Sequence, residues 1–201
     1  MRNETPSGLL SVIDPDDLAR LHATLEARAG SDVDIAYRTV DSPVGSLLLA
    51  RTEVGVVRVA FDVQDHDAVL QTLSDGISPR VLEAPGRLDD VARELDEYFA
   101  GRRTGFDVPL DLRLLHGFRR VVVEHLPEIA YGRTASYADM ASRAGSPRAV
   151  RAVGTACALN PLPLVLPCHR VVRSDGSPGQ YAGGADAKRA LLALEARAVA
   201  A

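Results

Sequence analysis

Asn160-Pro161-Leu162-Pro163-Leu164-Val165-Leu166-Pro167-Cys168-His169-Arg170-Val171-Val172 is the stretch on which the reading of this chain turns. It sets a thiol between a proline, whose ring fixes the backbone, and an imidazole directly after it. An unperturbed thiol has a pKa of about 8.5, so only about 3% is thiolate at neutral pH. A reactive cysteine therefore needs a base or a positive charge nearby. His169 is the candidate base, but sequence neighbours point apart, so a water or a backbone turn has to relay the proton. Imidazole works best when a carboxylate orients it. Glu195, on a helix predicted over Ala185–Arg197, is the last acid of the chain. The Asn160 amide can tie down the turn before the cysteine. The default for a lone cysteine is an inert, buried small hydrophobe. That reading suits Cys157, the other cysteine, whereas proline, histidine, arginine and the upstream Asn-Pro all crowd Cys168.

The surrounding chain sets the bounds. With 201 residues there is room for one large domain or two small ones. Two cysteines make no disulfide framework, so a reducing cytoplasm is expected. A zinc site would have to recruit several of five scattered histidines, so no metal and no cofactor is expected. No run approaches the roughly 20 apolar residues of a membrane helix. The start, MRNETPSGLLSVIDPDD, lacks the basic and apolar regions of a signal peptide.

Taken in order, residues 1–33 form an extension with a short helix, Asp14 as N-cap, Pro15 as first residue, and Leu18, Leu21 and Leu25 at helical spacing. Strands are predicted at Ile35–Val40, Ser46–Arg51, Val54–Phe61 and Arg80–Leu82, with a helix at Asp67–Leu73. Leu88, Val91, Ala92, Leu95, Tyr98 and Phe99 share one face of a helix that stops at Gly101. Residues 34–108 thus read as a small α/β domain with a mainly antiparallel sheet, and nothing in it reads as catalytic. Residues 109–201 read as a mainly helical domain.

The second half is basic. From Arg113 to Arg173 there are nine arginines against Glu124, Glu128 and Asp139, a surplus of six in a chain of net charge −4. A solvated face explains charge alone, yet a basic half on an acidic chain is also the footprint of a nucleic-acid surface. Ser136 caps a predicted helix through Ala144, Gly145 makes a turn, and Ser146-Pro147 start a second helix. This is a helix-turn-helix pattern. The second helix, Arg148–Ala156, is rich in small residues, which suit close approach to the protein's own core or to a DNA groove. On that feature alone, the core is the better reading.

The Asn-Pro to Val-Val run closely resembles the active site of the O6-alkylguanine-DNA alkyltransferases, also called methylated-DNA–protein-cysteine methyltransferases. The resemblance extends from about Tyr37 to Glu195. It includes Tyr98-Phe99-Ala100-Gly101, Phe106-Asp107-Val108-Pro109-Leu110, Ser136-Tyr137, Arg151-Ala152-Val153-Gly154, Tyr181-Ala182-Gly183-Gly184 and Leu191-Leu192. It implies a ribonuclease-H-like N-terminal domain, a winged helix-turn-helix, and repair of O6-alkylguanine in double-stranded DNA by one irreversible transfer to cysteine. O4-alkylthymine is a further candidate substrate, and the protein is expected to be a monomer without DNA. The damaged base must be turned out of the stack into a pocket.

Carried over by position, the resemblance makes Cys168 the nucleophile and His169, through water, the acceptor of its proton. Glu195 polarises His169, Asn160 holds the turn, and Tyr137 donates to N3 of guanine. Arg151 is the finger that fills the space the base leaves. Ala149, Ala152 and Gly154 admit the helix into the minor groove, with Ser136 at the DNA surface. Val171 reads the base's amine through its backbone, and Tyr181, Ala182 and Gly183 wall the pocket.

Three departures stand out. Ala182 replaces a serine found in some members. Leu115–Val121 departs from the usual run, in a chain without tryptophan. Ile129-Ala130 replaces Ile-Pro. Two other readings compete: a non-catalytic lesion sensor, which would lack the cysteine, and a Cys-His thiol hydrolase, which would not need Arg151.

Overall fold

The computed structural model describes Asp14, Asp17, Arg20, Leu21, Thr24 and residues 33–200. Asp17, Arg20, Leu21 and Thr24 are helical, and Leu21 is exposed. Pro15, Leu18 and Leu25 of the expected N-terminal helix lie outside the described residues.

Three successive strands form the N-terminal sheet: β1 (Ile35–Val40), β2 (Leu47–Arg51) and β3 (Val56–Phe61). They pair antiparallel, Val40 opposite Leu47 and Leu47 opposite Phe61. Helix α1 (His66–Gly76) then carries the chain across one face to β4 (Val81–Glu83), which pairs parallel with β1. The sheet is therefore mixed, in the order β3-β2-β1-β4. A helical crossover returns the chain in its original direction, which the strand pattern alone does not reveal.

Strand β2 is apolar at consecutive positions because both sheet faces are covered. Leu48 and Ala50 pack with Ile35, Val57, Ala60, Val69 and Leu73 beneath α1. Leu47 and Leu49 face the opposite way, toward α2 (Asp89–Phe99), whose Val91, Leu95 and Tyr98 are buried. That second core continues without a break into the C-terminal half, through Val122, Leu126, Met140, Val153, Leu162 and Leu191.

The connector is pinned where it passes the sheet. Val56 N–H donates to the Pro109 carbonyl at 2.8 Å, and Asp111 N–H donates to the Val56 carbonyl at 2.8 Å. Gly55 allows that approach, since a Cβ there would lie 2.3 Å from the Pro109 oxygen.

The C-terminal half comprises α3 (Gly117–Glu124), β5 (Ala135–Ser136), α4 (Tyr137–Arg143), α5 (Val150–Ala158), β6 (Val171–Val172) and α6 (Gly184–Ala200). Ser136 caps α4 in a reciprocal box with Asp139. The helix ends in a Schellman turn: Ser146 N–H donates to the Ala141 carbonyl, Gly145 N–H to that of Ser142, and Gly145 takes φ +70°.

The next helix begins later than its sequence suggests. Ala149 N–H bonds to the Ser146 carbonyl in a tight turn, and the first helical bond runs from Val153 to Ala149. Ser146 and Pro147 therefore form that turn rather than the N-cap and first residue, and Arg148 precedes the helix.

Candidate active site

Cys168 opens a single 3-10 turn, Cys168–Arg170, after Pro167. The segment before it is held from both sides by Asn160. Its Nδ2 donates to the Leu166 carbonyl at 2.8 Å, and its Oδ1 accepts from Leu162 N–H at 3.0 Å. Within the staple, Leu164 adopts φ +74°, a left-handed conformation costly for a residue with a Cβ. Cys168 is 1% exposed. Burial pushes its thiol up to about 11, against the Asn160 amide and the positive charge of Lys188, which pull it down. Such a thiol does not ionise by itself at neutral pH; its proton has to be taken.

His169 and Glu195 are both fully buried, and His169 Nε2 lies 2.8 Å from Glu195 Oε1. Burial alone would raise the Glu195 pKa. Hydrogen bonds from His169 and Arg170 outweigh it and hold the carboxyl at about 2. Glu195 is thus ionised and can only accept, so Nε2 carries the imidazole hydrogen and Nδ1 the lone pair. Nδ1 is buried with no hydrogen-bond partner among the described residues. Burial, with the charges of Arg170 and Lys188, lowers the His169 pKa against the pull of Glu195, which favours the neutral ring with its lone pair at Nδ1.

Besides His169, three residues grip the carboxylate. Arg170 Nε donates to Oε2 at 3.0 Å and its Nη2 to Oε1 at 3.0 Å, while its Nη1 holds the Ile129 carbonyl at 2.8 Å. Gly132 N–H donates to Oε2 at 3.0 Å, at a φ of +70°. Tyr98 Oη, from α2 of the N-terminal sheet domain, donates to Oε1 at 2.7 Å.

Lys188, one face of α6 above Glu195, is also fully buried, and its Nζ donates to the Val171 carbonyl at 2.6 Å. Burial lowers its pKa. A carbonyl accepts two hydrogen bonds, so Val171 keeps one lone pair for a ligand.

On the outer side, the chain from Arg173 to Gly183 folds over the site. Tyr181 meets Phe61 edge-on at 5.4 Å and stands 6.3 Å from the His169 ring, with its hydroxyl buried and unpartnered among the described residues. Gly183 presses on Phe61, where a Cβ would come within 2.6 Å of the ring, and Gly179 leaves similar room for the Tyr137 hydroxyl. Ala182 is half-buried beside them. Arg173, Pro178, Gln180, Tyr181 and Ala182, with Ala158 of α5, line a groove of about 550 Å³.

The structure thus gathers Cys168, His169, Glu195, Asn160, Tyr137, Val171, Tyr181, Ala182 and Gly183 around one turn. Arg151, Ala152 and Gly154 lie on the second helix of the helix-turn-helix and Ala149 at its start, while Ser136 caps the first helix and pairs with Val172 beside the site. Helix α5 turns Val153, Ala156 and Cys157 inward, and leaves Arg151 and Ala152 exposed. A Cβ on Gly154 would meet nothing within 4 Å. The core reading thus holds for Ala156 and Cys157, whereas the protein's own packing does not require small residues at 152 and 154. At those two positions the smallness faces outward.

Sequence reasoning missed three residues here. Tyr98 was visible only as a core position of its helix, and Arg170 only as a neighbour of the cysteine. Lys188 is masked by the charges beside it, although its spacing of seven from Glu195 puts both on one helix face. Among the described residues, no group of histidine, cysteine and acidic side chains is placed to hold a metal ion.

A buried thiol beside a histidine–carboxylate pair, next to an exposed helix-turn-helix, defines a helix-turn-helix protein with a nucleophilic cysteine. Residues 35–112 match the ribonuclease-like domain of 6-O-methylguanine DNA methyltransferase, and residues 117–197 match the DNA binding domain of that family. The chain belongs to the 6-O-methylguanine DNA methyltransferase family. It is 42% identical over 163 residues to a methylated-DNA–protein-cysteine methyltransferase of Mycolicibacterium paratuberculosis, covering 81% of this chain and 93% of that one. It is 36% identical to a constitutive enzyme of the same name from Bacillus subtilis, covering 78% and 92%. Among solved structures, the Mycobacterium tuberculosis O6-methylguanine methyltransferase superposes with a TM-score of 0.72 at 38% identity, covering 81% of this chain and 93% of that one. The Mycobacterium tuberculosis protein OGT in complex with DNA gives the same score and identity, covering 81% and 94%.

Proposed function

We propose that this protein repairs DNA by moving an alkyl group from O6 of guanine to Cys168, once per molecule. The observation that carries the mechanism is His169, fixed by Glu195 through Nε2 and left with a free, buried lone pair at Nδ1. A sensor without chemistry needs no such relay, and family membership supports the methyltransferase over it.

In the step itself, sulfur attacks the alkyl carbon in line with the C–O6 bond. The C–S bond forms, the C–O6 bond breaks, and its electron pair goes to the base. The thiol proton passes to Nδ1 of His169 through a water. Tyr137, whose hydroxyl burial keeps protonated, donates to N3 and makes guanine a better leaving group. The product is a thioether, which no group in the site can cleave, so the protein stops after one event.

The lesion reaches this depth only by leaving the duplex. Arg151 fills the gap in the stack, while Ala149, Ala152 and Gly154 let α5 approach the minor groove and Ser136 meets the backbone. Val171, Tyr181, Ala182 and Gly183 hold the flipped base, with backbone donors serving O6 where Ala182 offers no hydroxyl. O4-alkylthymine is a second substrate to test. The protein works in the cytoplasm, where its free cysteines stay reduced, and is a monomer without DNA. No helix among the described residues is long and apolar enough to cross a membrane.

Mixing the protein with an oligonucleotide carrying one O6-methylguanine is expected to add one methyl group, mapped to the Cys168 peptide, in a ratio that never exceeds one. Unchanged mass with tight lesion binding would leave the sensor; unchanged mass without binding would remove the DNA assignment. Arg151→Ala is expected to slow repair of duplex DNA about ten- to a hundredfold, the scale of an unassisted flip. Reaction with free O6-alkylguanine base should hardly change. Equal losses on both substrates would remove the finger role.

A further inference from the structure

The α/β half of the molecule reaches into the relay through one side chain. Tyr98 is fully buried, and its hydroxyl donates to Glu195 Oε1 at 2.7 Å across 97 residues of sequence. The same oxygen accepts from His169 Nε2 at 2.8 Å, and Tyr98 Oη stands 3.4 Å from that nitrogen. The ring is clamped by Phe99 at 5.5 Å, Phe106 at 5.4 Å and Tyr131 at 6.0 Å between centroids. Such packing fixes where the hydroxyl points.

We infer that Tyr98 is a positioning residue for the transfer reaction, setting through Glu195 how readily His169 gains and loses a proton. The inference rests on the proposed function. A carboxylate oxygen that already accepts from a phenol and an arginine has less charge to offer an imidazolium. Tyr98 therefore weakens the pull of Glu195 on His169, and the imidazole stays neutral to lower pH, with Nδ1 ready to take the thiol proton.

The other groups facing this pair act alongside it. Arg170 binds both carboxylate oxygens, and its charge and that of Lys188 oppose protonation of His169. Cys168 lies on the same turn, Tyr181 presents its ring to His169, and Tyr131 packs against Tyr98 and beneath Arg170. None of them substitutes for the phenol, because each is already present when it acts. The phenol itself stays protonated at any pH of interest, since burial and then the Glu195 charge raise its pKa far above the ordinary value.

Tyr98→Phe removes the hydroxyl and keeps the ring. With one donor lost, Oε1 binds an imidazolium more strongly, so His169 protonates at higher pH. The acid limb of the methyl-transfer rate should then move upward by about one pH unit, the scale of one buried hydrogen bond. Val91→Ala, at a buried position seven residues earlier on the same helix, serves as the packing control. It should lower the unfolding temperature and leave the acid limb in place. Rates would be measured from pH 5 to 9 with an O6-methylguanine oligonucleotide for wild type and both variants. An acid limb that ignores Tyr98→Phe, or that moves equally in Val91→Ala, overturns the inference. Wild-type protein that takes up no methyl at any pH overturns the proposed function itself, which is a different result.

Discussion

Glu195→Gln is expected to cost about 3–5 kcal/mol of stability, the usual penalty for stripping one partner from a buried ion pair, and to slow transfer about a hundredfold or more. The side chains are nearly the same size, so the loss is one of charge and hydrogen-bond sense. Arg170 would keep its charge in a site where it is about 6% exposed, without its carboxylate. The amide would also turn a donor toward either Arg170 or the Gly132 N–H, both of which are donors themselves. His169 would lose the ionised acceptor that fixes the hydrogen on Nε2, so its Nδ1 lone pair would no longer be assured.

The pH dependence has a definite sign. Glu195 in the folded protein titrates at about 2, below its ordinary 4.5, so the unfolded chain binds this proton more readily. The stabilisation is fully present above about 4.5 and is lost as pH falls toward 2. His169 is also held below its ordinary 6.5, and it likewise destabilises the fold as pH falls below that value. The gap between wild type and Glu195→Gln should therefore be widest near neutrality and narrow as the wild-type carboxylate protonates. Urea unfolding at a series of pH values would show it. A gap that does not change between pH 7 and 3 would mean the carboxylate is not the source of the difference.

Much of this site was legible because its members either cluster in sequence or sit at landmark positions. The Asn160-to-Val172 run holds the thiol, its base and the amide that staples the turn within thirteen residues, and Glu195 is the last acid of the chain. The helix that carries Glu195 was legible as well, since α6 spans Gly184–Ala200. What sequence could not supply was direction. Nothing in it said that Nε2 rather than Nδ1 meets the carboxylate, and that choice decides which nitrogen is the base. Nor could the 97-residue separation between Tyr98 and Glu195 be read from a helix whose apolar face already accounted for Tyr98 as core. Two further points lay beyond the sequence for similar reasons. The parallel edge strand β4 depends on the crossover of α1, a property of the path and not of the strand. Helix α5 starts at Val150 because the Ser146 carbonyl closes a local turn first, and a Ser-Pro pair looks the same before a turn as before a helix. The small residues of α5 were assigned to the core because close packing is their commoner use. Only the exposure of Ala152 and the open space beside Gly154 turned them toward a partner.

Cys168→Ser is expected to abolish methyl transfer to the protein, a fall of at least about four orders of magnitude, while leaving lesion binding within a few-fold of wild type. Burial pushes the thiol up to about 11 and also holds the imidazole below its ordinary range, so removal of the thiol proton is uphill. The step succeeds only because deprotonation is coupled to attack by a soft, polarisable sulfur. A serine hydroxyl is far less acidic than a thiol and a poorer nucleophile toward saturated carbon, so both terms worsen together. The cavity is otherwise kept, since Asn160 still staples the turn and the Tyr181 loop still closes on Phe61. The variant should thus hold O6-methylguanine DNA without consuming it. An electrophoretic mobility assay with the lesion oligonucleotide, followed by intact mass, separates the outcomes. Bound lesion with unchanged mass is the expected result. Methyl uptake by the serine variant would move the nucleophile away from residue 168. Loss of binding would show that the sulfur itself contributes to holding the base, and that the pocket cannot be treated as independent of its nucleophile.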